Sequence, residues 1–242
     1  MVADLQAAWS REPKAQSPSA QRLCLMHTFR MLLSTHRAPP FYKNGYLLGC
    51  ETTREAVVID PGDEIEEVIG AAEASALRVT HILLTHAHLD HITGVGRAKR
   101  AFGAPVVLHE ADLPLYEAVV QQGRMFGLEV EPQPPVDRFY ERGEVITFGT
   151  FEVRAHHTPG HCPGGVCLQV GPAKTEGLDL FVGDTLFASS IGRTDLPGGD
   201  YQTLIQSIRS VLFAFPDDAR VYSGHGEPTT IGRERRTNPF LA

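Results

Sequence analysis

The chain has 242 residues, a formal net charge of −7, and 42% hydrophobic against 21% charged residues. That length and balance suit one globular domain with a substantial core. The negative charge excludes a nucleic-acid groove, which needs a basic stripe.

In chain order, the first 26 residues set Asp4, Arg11, Glu12 and Lys14 in an Ala/Gln/Ser/Pro background. They contain no apolar run long enough for a signal peptide or a membrane span. Residues 1–26 are expected to be an extension, disordered or loosely docked, with the catalytic domain over 27–242 and no membrane association. Thr28 to Leu33, Tyr46 to Leu48 and Ala56 to Ile59 read as strands, the last ended by Asp60-Pro61-Gly62. Asp63 suits a helix N-cap, followed by the stripe Ile65, Val68, Ile69 and Ala72. Val79 to Leu84 reads as a buried strand, Val95 to Phe102 as helix and Ala104 to Leu108 as strand. A further helix is predicted over about Asp112 to Gln122, then a long loop beside the site over about 123–140. Strands near 144–148, 151–155, 165–170 and 179–182 should pair antiparallel. Leu204, Ile205, Ile208, Val211 and Leu212 mark a last amphipathic helix.

The chemistry concentrates in Thr85-His86-Ala87-His88-Leu89-Asp90-His91. Extended backbone running on from the preceding strand puts residues 86, 88 and 90 on one side, with His91 beside them. Three histidines and an aspartate at this pitch argue against a run of solvated surface residues, and the donor set suits zinc, iron or manganese. Similar settings recur downstream. His161 follows Thr158-Pro159-Gly160, Asp184 follows Leu180 to Gly183, and His225 follows Val221 to Gly224. Each is a strand, a small residue and then a ligand. Seven ligands divide into three, three and one shared carboxylate, which is what a two-metal hydrolytic site requires.

This pattern resembles the metallo-β-lactamase superfamily and, within it, the glyoxalase II-like (hydroxyacylglutathione hydrolase) group. The HxHxDH run at His86, His88, Asp90 and His91 carries the resemblance, with His161, Asp184 and His225. Gly192-Arg193-Thr194-Asp195, Met125-Phe126-Gly127-Leu128 and the ending Gly224-His225-Gly226-Glu227-Pro228 through Asn238-Pro239-Phe240-Leu241 resemble its short bacterial branch, which lacks the C-terminal helical domain. The resemblance implies an α/β fold, specifically a four-layer αββα sandwich. It implies that His86, His88 and His161 hold one metal, that Asp90, His91 and His225 hold a second, and that Asp184 bridges them. Two divalent ions per chain are expected, zinc first and iron or manganese as alternatives. Asp90 is expected to be catalytic as well, orienting the attacking water, and Arg193 to contact the substrate, a small-molecule thioester such as S-D-lactoylglutathione.

Alternatives on the same fold are a mononuclear-iron persulfide dioxygenase using His86, His161 and Asp184, and a lactonase or β-lactamase. Gly165 replaces the cysteine expected of the dioxygenase, and the intact ligand set argues against a non-catalytic binding module. Asp60, His109 and His157 read as structural hydrogen-bonding groups near the site. Cys24, Cys50, Cys162 and Cys167 show no CxxC or disulfide-framework spacing, so a reducing, cytoplasmic setting is expected. Oligomeric state carries no signal in the sequence.

Overall fold

Residues 45–50 are buried at every position, whereas a strand with one wet face would alternate. Tyr46 and Leu48 enter one apolar cluster and Leu47 another, so this strand has protein on both faces. The computed structural model describes residues 30–173 and 178–241, and the expected extension over residues 1–26 lies outside them.

The first half runs β1 (Met31–His36), β2 (Gly45–Cys50), β3 (Glu55–Ile59), α1 (Ile65–Ala74), β4 (Arg78–Leu83), α2 (Leu89–Ile92), α3 (Val95–Phe102), β5 (Val106–Leu108), α4 (Leu113–Glu117), α5 (Val119–Met125) and β6 (Arg138–Phe139). These strands form one sheet in the order β1-β2-β3-β4-β5-β6, antiparallel as far as β3 and parallel from β3 to β6. The second half runs β7 (Ile146–Phe148), β8 (Phe151–His157), β9 (Val166–Pro172), β10 (Asp179–Gly183), the hairpin β11 (Leu186–Phe187) and β12 (Ser190–Ile191), α6 (Tyr201–Ser210), β13 (Arg220–Ser223), β14 (Thr229–Thr230) and α7 (Ile231–Thr237). Its main sheet has the order β14-β13-β10-β9-β8-β7, in which only β10 and β13 pair parallel.

The two sheets face each other across a core that includes Leu48, Val57, Ile59, Leu83, Phe148, Val153, Leu168 and Phe181. Outside the first sheet, Val58, Ile82 and Val106 pack with Ile65, Val68, Val95 and Val119 from the helices. Outside the second, Leu180, Val182 and Val221 pack with Leu204, Ile208 and Ile231. The result is helix, sheet, sheet, helix: the αββα sandwich. Burying one such aliphatic side chain is worth about 1.5–3 kcal/mol, so these three clusters carry most of the stabilisation. Among the described residues no helix is long and apolar enough to cross a membrane.

Three local expectations change. Glu64 rather than Asp63 takes the N-cap position of α1, without a side-chain cap, while Asp63 accepts a hydrogen bond from Thr93 Oγ1 (3.0 Å). The helix expected from Asp112 breaks at Ala118 into α4 and α5. Gln122 turns its side chain back to the Leu115 carbonyl (2.8 Å) left open by that break. The segment expected to be a loop over 123–140 is tied to the helical layer: Gln133 Oε1 accepts from Gly96 N (2.7 Å), and Tyr116 donates to the Pro134 carbonyl (2.7 Å).

The topology places the site. β8, β10 and β13 run in one direction, so their C-terminal ends share one edge of their sheet. Val166 N donates to the Thr85 carbonyl (2.9 Å), which brings the loop after β4 to that same edge.

Candidate metal centre

Four chain segments converge there: residues 86–91 after β4, His161 after β8, Asp184 after β10 and His225 after β13. The extended backbone expected through residue 90 ends at His88 (φ −70°, ψ 152°), where α2 begins. Asp90 and His91 therefore ride on the first turn of a helix. The turn separates them from His88 while the His91 ring stays 4.0 Å from that of His86, and the ligand run divides between two groups. In the first, donor atoms of His86, His88 and His161 all lie within 4.8 Å of one another, as do those of Asp90, His91 and His225 in the second.

Hydrogen bonds select which nitrogen each imidazole presents. His91 Nδ1 faces Asp60 Oδ2 (2.9 Å) and His161 Nδ1 faces the Arg193 carbonyl (2.7 Å), which fixes both ring orientations and makes Nε2 the atom each offers to the cluster. His161 Nε2 sits 2.8 Å from His88 Nδ1, and His225 Nε2 sits 3.0 Å from Asp90 Oδ2. Asp184 lies between the groups. Its Oδ1 is 3.4 Å from His91 Nε2, and its Oδ2 is 3.7 Å from both His161 Nε2 and His225 Nε2.

The donor set fits a cation. His86 Nε2, His91 Nε2 and Asp184 Oδ1 are buried without a hydrogen-bond partner. Orphaned atoms of this kind are costly and call for an occupant. Burial and the neighbouring imidazoles push His86 well below the usual histidine range, and burial takes His88 down to about 3, so both present neutral lone pairs. Burial would also lower His91, but Asp90, Asp60 and Asp184 outweigh it and raise His91 to about 10. A divalent ion would replace that proton among the same carboxylates. Asp60, His86 and His91 also cluster, but both Asp60 oxygens are engaged by Thr85 N (2.6 Å), Thr85 Oγ1 (2.6 Å) and His91 Nδ1, which makes it an orienting group.

Small residues let the loops close in. Gly183 has φ +51° and a Cβ there would strike Thr85, while a Cβ at Gly224 would strike the Asp184 carboxylate and the His91 ring. Sequence reasoning underweighted Asp60, although the Asp60-Pro61-Gly62 strand ending was a signal. It missed Asp112, whose carboxylate accepts from Ala87 N (2.9 Å), Cys162 Sγ (3.2 Å) and Gly164 N beneath the first group. Cys162 is thereby a buried thiol, pushed well up by burial and Asp112. His109 and His157 stack on each other with ring centroids 4.1 Å apart and hold none of the donor atoms. The Arg193 side chain is exposed and bidentate to Asp195 (2.8 and 2.7 Å).

A fold of two packed sheets with this histidine and aspartate cluster at one shared edge defines a metal-dependent hydrolase scaffold. The chain belongs to the metallo-beta-lactamase superfamily, whose family model matches residues 38–225. It is 41% identical over 190 residues to hydroxyacylglutathione hydrolase GloC of Haemophilus influenzae, covering 78% of this chain and 88% of that protein. Among solved structures it is similar to the BLEG-1 B3 metallo-beta-lactamase (38% identity, TM-score 0.79, 87% of this chain and 99% of that one). It is also similar to TTHA1623 in a di-iron-bound form (42% identity, TM-score 0.75, 87% and 100% covered).

Proposed function

We propose that this protein is a dinuclear metal-dependent thioesterase acting on a glutathione thioester such as S-D-lactoylglutathione. The observation that carries the two-metal reading is Asp184, set between two groups of three donors with its Oδ1 orphaned in the interior. His86, His88 and His161 would hold one ion, Asp90, His91 and His225 the other, and Asp184 would bridge them. Zinc is the first choice and iron or manganese the alternatives, the di-iron form of a similar chain supporting iron. The substrate class is supported by the name of the Haemophilus relative. A cytoplasmic setting is supported by Cys50, Cys162 and Cys167, all buried free thiols.

When bound, the two ions supply Lewis acidity and lower the pKa of water from about 15.7 toward neutrality. Asp90 accepts a hydrogen bond from the attacking water and turns its lone pair toward the thioester carbonyl. The surrounding His91 and His225 outweigh burial and hold the Asp90 carboxyl below its usual range, so it is an acceptor at neutral pH. His161 is kept in one orientation by the Arg193 carbonyl and His91 by Asp60, so neither reorganises during the reaction. No general acid is needed for the leaving group, because a thiolate departs without protonation. The Arg193 guanidinium is proposed to meet a carboxylate of the glutathione part, exchanging its contact with Asp195.

The test is metal stoichiometry on freshly purified protein, with S-D-lactoylglutathione cleavage and oxygen uptake on glutathione persulfide assayed in parallel. About two metals per chain with thioester turnover is the expected result. One iron per chain with oxygen uptake overturns it in favour of a mononuclear dioxygenase. Turnover of a β-lactam or lactone alone keeps the centre and moves the substrate.

A further inference from the structure

Lys43 is 2% exposed and is among the largest side chains buried completely. A lysine this deep needs a carboxylate, and it has one in Glu64, also 2% exposed, at 2.8 Å. The pair does more than neutralise itself. Lys43 Nζ also donates to the Asp60 carbonyl, and Glu64 Oε1 also accepts from Gly62 N (2.9 Å). The Asp60–Gly62 turn is thus gripped from both sides. That turn lies directly under α2: a Cβ on Gly62 would strike the Asp90 carbonyl, and Gly94 N donates to the Pro61 carbonyl (3.0 Å). The Asp60 side chain holds His91 by Nδ1.

The next residue reaches the opposite sheet. Asn44 N donates to the Gly224 carbonyl (2.7 Å), and Asn44 Nδ2 donates to the carbonyls of Ser223 (2.8 Å) and Gly226 (3.0 Å). These three residues surround His225. Arg37 backs the contact, donating to Asn44 Oδ1 and to the Gly226 carbonyl (2.9 Å). One dipeptide therefore touches the seats of all three donors in the second group. In the first group only His86 is within its reach, through Thr85, whose backbone N and Oγ1 donate to Asp60 (both 2.6 Å), and among the described residues no such link runs to the segments carrying His88 or His161.

We propose that Lys43-Asn44 is a positioning strap that sets the second donor group, Lys43 acting through Glu64 and the Asp60–Gly62 turn on Asp90 and His91, and Asn44 acting on His225. The strap rests on the dinuclear reading above. Its loss weakens the second metal far more than the first, which the strap reaches only through Thr85 beside His86. Outer partners of metal ligands typically govern about 10–100-fold in affinity, and a second-site loss of that size is expected here.

The experiment is zinc titration of the full chain against a chromophoric chelator, with far-UV circular dichroism reporting the fold. The variants are Lys43→Met, Lys43→Met/Glu64→Leu and Asn44→Ala. The double variant removes the ion pair as a unit, a change that buried pairs often tolerate, while deleting the hydrogen bonds to Asp60 and Gly62. Asn44→Ala leaves the ion pair intact, so these two carry the test if Lys43→Met alone does not fold. Expected is a first zinc bound within about twofold of wild type and a second weakened at least tenfold. Wild-type affinity for both zincs in the folded variants overturns the strap, and equal weakening of both assigns Lys43-Asn44 a general structural role instead. If the wild type itself takes up a single zinc, the dinuclear reading fails and the strap fails with it.

Discussion

The two donor groups are built on opposite electrostatic principles. His86, His88 and His161 are buried imidazoles with no carboxylate among them, and burial and neighbouring imidazoles push His86 and His88 down. Asp90, His91 and His225 include their own carboxylate, have Asp60 behind them, and leave the His225 side chain 35% exposed. Each group rests on a buried aspartate: Asp112 under the first, reaching backbone and a thiol, and Asp60 under the second, reaching an imidazole directly. Asp112 thus seats the first group through backbone, whereas Asp60 touches a ligand ring of the second and also holds Thr85 beside His86. On the proposed dinuclear reading, buried imidazole donors would suit a permanently held ion, while a charged, partly open group would suit the one that handles water and substrate.

The change that should break both groups at once is Asp184→Asn. It removes the charge between them, and turnover is expected to fall by more than the 10–100-fold typical of outer partners, about 100-fold at least, with reduced metal content and an unchanged far-UV spectrum. Full turnover in that variant would show that Asp184 bridges nothing.

The paired aspartates sharpen the contrast. Asp60→Asn keeps a residue that tolerates the φ of +51° at that position while loosening its hold on His91. It should weaken the second metal by about 10–100-fold and the first, reached only through Thr85, by less. Asp112→Asn loses acceptor capacity for buried donors, so its main expected effect is a stability loss of about 1–3 kcal/mol, read as a lower melting temperature of the metal-free protein. Equal effects of the two variants on both metals would erase the distinction drawn between the groups.

The smallest effect expected is that of Arg193→Ala. Its ion pair with Asp195 is solvent-exposed, so the melting temperature should barely move. KM for a glutathione thioester should rise more than kcat falls, whereas an unchanged KM would leave the side chain with a surface role only.

Much of this molecule was legible before folding. The strands ending at Ile59, Leu83 and Gly183 were readable because buried parallel and central strands are continuous apolar runs. The helix Val95–Phe102 was legible from its periodicity and the glycine that follows it. The short elements β6, β14 and α7 were not read, since two to seven residues carry too little periodicity to stand out. The break at Ala118 escaped because local propensity is continuous there, and the Gln122 side chain that meets the Leu115 carbonyl gives no signal in the sequence.

The sequence by itself determined the donor set: three histidines and an aspartate in one short run, and repeated strand, small residue and ligand settings. Those are properties of residue type and local spacing, which the linear chain displays directly. Tertiary structure alone decided the division of labour. The turn into α2 at His88 sends Asp90 and His91 to a different group from His86, and Asp184 comes between them from the other sheet. Asp60, Asp112 and the Lys43–Glu64 pair gained their roles only when loops distant in the chain met at one edge. Donor identity is written along the chain, but donor orientation depends on hydrogen bonds and burial that exist only after the two sheets have packed.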